Sequence, residues 1–98
     1  MATSKIPLPG AFLDIKAINA STDLDDLHTD SKNPIKIYSP GGSIPINAPS
    51  GASTYAYVIC LGGLYQIWLS PSAIFVRRYS GNPAYWHDWY KYTGTAQT

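Results

Sequence analysis

The chain has 98 residues, of which only 13% are charged, and seven Lys/Arg against six Asp leave a net charge of +1. That length makes one domain with a thin core, burying roughly two-thirds of the surface of the unfolded chain. The near-neutral balance lacks the basic stripe of a nucleic-acid binder and the charge of an electrostatic membrane binder, and no apolar run is long enough to form a transmembrane helix.

The chain changes character near Ser53. The first fifty residues hold six of the eight prolines and five of the six aspartates, but only two aromatics, Phe12 and Tyr38. Residues 1–20 are expected to form an N-terminal extended or oligomerisation segment. They carry no charged-then-apolar signal pattern, and Pro7 and Pro9 favour an extended start. Phe12, Ile15 and Ile18 also share one face of a helix, but short capped turns are favoured there. Asp23-Leu24-Asp25-Asp26-Leu27 reads as a single helical turn, with Ser21 or Thr22 as N-cap and acids in its first turn. Prolines 34, 40, 45 and 49 exclude a long helix or a central strand. Residues 31–53 therefore read as an irregular extended region with short edge strands at Ile35–Tyr38 and Ile44–Ile46.

The second half reads as an antiparallel meander. Residues 54–61 are rich in β-branched and aromatic side chains. The paired glycines of Leu61-Gly62-Gly63-Leu64 suit a two-residue hairpin loop. Tyr65–Leu69 is the return strand, Ala73–Tyr79 the next, and His87–Tyr92 the last, with turns at residues 70–72 and 80–83. Alternation puts Tyr65, Ile67 and Leu69 opposite Gln66 and Trp68, and Ile74, Val76 and Arg78 opposite Phe75, Arg77 and Tyr79. Both faces carry large groups, so both are expected to be covered, one by the Pro-rich region and the other by a second chain. The fold class is thus mainly β: a small antiparallel sheet with long Pro-rich loops, oligomeric.

Eleven of the thirteen aromatics lie between Tyr55 and Tyr92, more than so small a core can absorb, and Trp and Tyr are productive at binding surfaces. Tyr85, Trp86, His87 and Asn82, with Trp68, are the candidate ligand-binding residues. Arg77 reads either as a buried, stacked strut or as a ligand contact; Trp89 and Phe75 read as core. Cys60, the single cysteine, lies in an apolar run and reads as a buried structural thiol. No nucleophile–base pair, paired carboxylates, phosphate loop or metal-ligand spacing is present. Trp86 and Trp89, three apart on a strand, are expected on opposite faces, as are His87 and Asp88. No enzyme, cofactor or metal is expected.

The order of these residues resembles the knob domain at the tips of bacteriophage tail fibres and of pyocins, the tail-like bacteriocins. Asp23-Leu24 matches the opening, Asn47-Ala48-Pro49 the Pro stretch, and Ala56–Ile59 the first strand. Gln66 matches the Gln strand, Phe75-Val76-Arg77 the aromatic-x-Arg strand, and Trp86-His87-Asp88-Trp89 the closing Trp pair. The similarity covers residues 20–92 and implies a knob domain over residues 21–98. Gln66, Phe75, Arg77, Trp86 and Trp89 would be its structural motif. It further implies a non-enzymatic homotrimer that binds host-surface glycan, located in the virion or in the host cytoplasm before assembly. A virion assembly protein, or a small phage protein that binds a host protein, are the rival readings.

Overall fold

The computed structural model describes residues 14–29, 32 and 34–97. Among the described residues, seven strands build one sheet: β1 (Ile15–Ala17), β2 (Ile35–Ser39), β3 (Tyr57–Leu61), β4 (Tyr65–Leu69), β5 (Ala73–Gly81), β6 (Ala84–Trp86) and β7 (Tyr90–Thr93). The spatial order is β1-β2-β3-β4-β5. The far edge of β5 is shared by β7, paired to its first half, and β6, paired to its last residues. Every pairing is antiparallel except β1 with β2. The fold is therefore mainly β, as expected, but the sheet is mixed rather than a pure meander.

Three differences from the sequence reading have local causes. First, β2 lies between β1 and β3 and so is an internal strand, not an edge. Its five residues fit between Pro34 and Pro40, so no proline interrupts its ladder. Second, the expected strand at 44–46 is reduced to one bridge between Ile46 and Asp23. Third, the expected final strand begins later, at Tyr90, and β6 precedes it. The expected N-terminal segment contributes β1 to the sheet, while Phe12 lies outside the described residues.

The hairpin turn forms where the glycines suggested. Gly62 and Gly63 both have positive φ, 60° and 70°, and Leu64 N–H donates to the Leu61 carbonyl at 2.9 Å. Leu64 is an added residue, because Leu61 pairs with Tyr65. Gly63 is required twice over: a Cβ there would collide with the Thr29 carbonyl oxygen.

Strand alternation then divides the sheet into two unlike faces. The inner face carries Tyr38, Val58, Cys60, Gln66, Trp68, Ala73, Phe75 and Arg77, all buried. Its cover is the irregular chain: Leu24 is fully buried against it, Pro40, Pro45 and Pro49 are buried, and Ile18, Leu27, Ala48 and Ala52 pack at its margin. Chain from residues 18–52 thus lies over this face.

The outer face has no cover among the described residues. Register aligns Ile15, Ile37, Ile59, Ile67, Val76 and Tyr90 in one row across the strands. A second row holds Ser39, Tyr57, Leu69, Ile74 and Tyr92. A third holds Ile35, Leu61, Tyr65 and Arg78.

Candidate functional site

Two constellations emerge, one inside the cover and one on the outer face. The inner one is built around Gln66 and Arg77, partners across β4 and β5. Gln66 is fully buried. Its Nε2 donates to the Leu24 and Leu27 carbonyls at 2.6 and 3.1 Å, satisfying backbone acceptors of the turn that caps the core. Its Oε1 accepts from Arg77 Nε and Nη2 at 3.0 and 2.8 Å. Arg77, only 5% exposed, also makes an ion pair with Asp25, 2.9 Å between Nη1 and Oδ1. Burial pulls the Arg77 guanidinium below its ordinary pKa, while Asp25 opposes that shift.

Two indoles close this arrangement. The Arg77 Cζ lies 4.4 Å from the Trp86 ring centroid and 4.7 Å from that of Trp89, so the guanidinium is held by both rings. The expectation that Trp86 and Trp89 occupy opposite faces is therefore overturned. Residues 87–89 leave the strand between β6 and β7, so strand alternation does not apply across them. Each indole N–H is also tied: Trp86 Nε1 donates to the Asp25 carbonyl at 3.1 Å, and Trp89 Nε1 to that of Asn47 at 2.9 Å. His28 stacks on Trp86 at 5.4 Å, with Tyr79 edge-on to His28 at 4.9 Å.

The turn that supplies these carbonyls is a 3-10 turn, Leu24–Asp26, capped by Asp23 rather than by Ser21 or Thr22. Asp23 Oδ1 accepts from Asp25 N–H at 2.9 Å and from Asn47 Nδ2 at 2.8 Å. These bonds, the backbone one first, hold the Asp23 carboxyl below its ordinary pKa. Asn47 stands at φ 66°, a left-handed conformation that asparagine tolerates.

Gln66, Arg77, Trp86 and Trp89, separate in the chain, thus meet in one clasp, and Phe75 lies buried two residues from Arg77 on the same face. Arg77 is the buried, stacked strut. Trp68, expected among the ligand contacts, is instead fully buried with its Nε1 donating to the Ser53 carbonyl at 3.0 Å, and so presents no surface. Trp86 is half-buried in the clasp. Cys60 is buried as expected, and burial pushes its thiol up to about 11.

The outer constellation keeps Tyr85 and His87. Their rings lie 4.2 Å apart, on the opposite side of β6 from Trp86. His87 Nε2 lies 3.0 Å from Ser80 Oγ and 3.1 Å from the Ser80 carbonyl, so it engages β5 rather than Asp88. His87 and Asp88 nonetheless line one open groove of about 430 Å³ with Tyr65, Arg78, Tyr90 and Tyr92. Asn82 is exposed in the adjoining turn and precedes a cis proline, Pro83. This groove combines aromatic rings with a cation, an acid and an imidazole, a donor set able to stack on a sugar ring and bond its hydroxyls. Sequence reasoning missed Tyr65, Tyr90 and Tyr92 as neighbours of His87, because β4 and β7 bring them there by pairing with β5, and it set Asp88 on the opposite face from His87.

A larger cleft of about 740 Å³ lies at the opposite end of β4, walled by Tyr55, Tyr57, Leu69 and Pro71 with Ser39 and Ser70. Only the aromatic-rich run at Tyr55–Tyr57 hinted at it. Among the described residues, no group of three or more His, Cys, Asp or Glu is arranged to hold a metal ion, and no helix is long and apolar enough to cross a membrane. Compared with protein-family models, curated proteins and solved structures, the chain gives no significant match.

Proposed function

We propose that this chain is a non-enzymatic receptor-binding knob of the tail-fibre type, acting as a homotrimer in the virion and recognising host-surface carbohydrate. The observation that carries the reading is the outer groove, where Tyr65, Tyr90 and Tyr92 surround Arg78, His87 and Asp88. Open, tyrosine-walled grooves with a few convergent polar groups suit saccharides, whose C–H faces stack on rings while hydroxyls bond to charged side chains. The convergence of Gln66, Arg77, Trp86 and Trp89 adds support, because it gives the residues of the resemblance one shared structural task. Tyr85, with Asn82 beside it, extends the contact surface. The test is binding to an array of bacterial envelope glycans by the intact protein. Arg78→Ala and Tyr85→Ala should each weaken that binding roughly tenfold or more while leaving the circular dichroism spectrum unchanged. No binding to any envelope polysaccharide would sink the reading.

A second reading, a virion assembly protein without a ligand of its own, is favoured by the uncovered outer rows. It predicts that Arg78→Ala changes nothing in glycan binding because there is none, while substitutions in the isoleucine row block assembly.

A further inference from the structure

The outer sheet face is apolar on a scale that a solvated sheet face is not. Tyr57, Leu69 and Ile74 are 48%, 41% and 40% exposed, and Ile59, Ile67 and Val76 fill the row beside them. The charge pattern is one-sided. The three strand lysines, Lys16, Lys36 and Lys91, pair with Tyr38, Cys60 and Phe75 and so stand on the inner side of their strands. The outward positions of β2 to β5 and β7 carry no Lys, Asp or Glu, and their single charge, Arg78, lies at one end beside the groove. Depletion of Lys and acids with enrichment of Tyr and Arg is the composition of a protein interface.

Area identifies the occupant. Eight outward Ile, Leu and Tyr side chains stand about half exposed. At roughly 100 Å² each they leave on the order of 800 Å² of apolar surface, above the usual largest patch of a monomer and equal to one partner's share of a stable interface. We infer that this face packs against the same face of another copy of this chain, sheet on sheet, with Ile67 and Val76 at the centre of the contact. The inference goes beyond the proposed function: a face packed on its own copy is a two-fold contact, so it assigns a dimer where that reading has a trimer. A self-complementary face needs no foreign partner, and two β faces of this kind interdigitate at about 10 Å. The groove at Arg78 and His87 shares Tyr65, Val76, Tyr90 and Tyr92 with this face, so self-association and ligand binding compete for that wall.

The experiment is sedimentation velocity of the intact protein from low micromolar to several hundred micromolar, alone and with Ile67→Lys or Val76→Lys. The expected result is a dimer whose association weakens roughly tenfold or more with either lysine, while Tyr85→Ala leaves it intact. Should the lysine variants fail to fold, Ile67→Thr and Val76→Thr keep the β-branched shape and carry the same test. A trimer, which same-face pairing cannot build, overturns the inference and supports the trimeric reading. A dimer dispersed by them supports the inference and removes the trimer. An oligomer insensitive to them overturns the inference and leaves the reading standing. A monomer at every concentration overturns both.

Discussion

The two faces of this sheet invert the usual division of labour. The covered face contains the glutamine and the arginine, bonded to each other and to the chain above them, while the bare face contains the isoleucines. A buried polar group is costly only when its partners are missing. Here the partners come from outside the sheet: Leu24 and Leu27 offer carbonyls to Gln66, and Asp25 offers a carboxylate to Arg77. The irregular chain has little regular structure of its own, so its carbonyls need donors, and the inner face supplies them. The Gln66–Arg77 pair therefore stitches the cover to the sheet.

The largest effect that would break this comparison is on Arg77. Arg77→Ala removes the donor from Gln66 Oε1, the cation from Asp25 and the group held by both indoles. Asp25 is 43% exposed, so the lost ion pair itself counts for little. The buried Gln66 Oε1 left without a donor costs about 1–3 kcal/mol, and the packing lost between the indoles adds to it, together a large part of the stability of a small domain. Urea denaturation followed by Trp fluorescence should show that loss. Arg77→Lys should not restore it, since an ammonium cannot reproduce the planar fork. A change below about 1 kcal/mol would mean that the cover is held by its apolar contacts alone.

The next effect is on the turn that joins β3 to β4 beneath the cover. Gly63→Ala places a side chain at φ 70° and against the Thr29 carbonyl, while Gly63 N–H already donates to Thr29 Oγ1 at 2.7 Å. The expected cost exceeds about 1 kcal/mol. Gly62→Ala, at φ 60° with open space around its Cβ, should cost less, and thermal denaturation of the two variants separates collision from strain.

A smaller effect is expected at Asp23, and it depends on pH. The folded carboxyl titrates below its ordinary 3.8, so its contribution is complete above about that pH and is lost as pH falls through the lowered folded value. Asp23→Ala should lower stability measurably, as loss of an N-cap usually does. It should also flatten the acid limb of the stability profile. Because Asp23 holds Asn47, whose carbonyl holds Trp89, the near-ultraviolet dichroism of the indoles should change as well.

Much of this fold was legible in the sequence, and the reasons for the remainder are physical. Alternation sorted Gln66 and Trp68 from Tyr65, Ile67 and Leu69, and Phe75 and Arg77 from Ile74 and Val76. It did not say which set faces inward, because both sets are large and the deciding partners lie 39 and 42 residues from Gln66. The glycine turn and the stacked Arg77 were readable because local chemistry fixes each. The meeting of Trp86 and Trp89 was not, because a break in strand geometry at 87–89 cancels the two-residue period. Trp86 was grouped with Tyr85 and His87 as contact surface, but its ring lies in the clasp, and of the three only Tyr85 is exposed. The groove around Arg78 depends on the pairing of β4 and β7 with β5, which no local pattern encodes.

The smallest effect sharpens the comparison most. Tyr90 is 64% exposed at the end of the isoleucine row, and among the described residues no hydrogen bond or ring contact holds its side chain. Tyr90→Ser removes a large aromatic from the outer face, yet for the isolated chain it should move unfolding stability by no more than about 0.5 kcal/mol. Measured at dilution, where copies are apart, the urea midpoint should barely change; measured at high concentration, it should fall relative to the parent, because any contact made only between copies stabilises by mass action. An equal loss at both concentrations would mean that the outer face stabilises the single chain, and the division between a stitched face and an associating face would have to be abandoned.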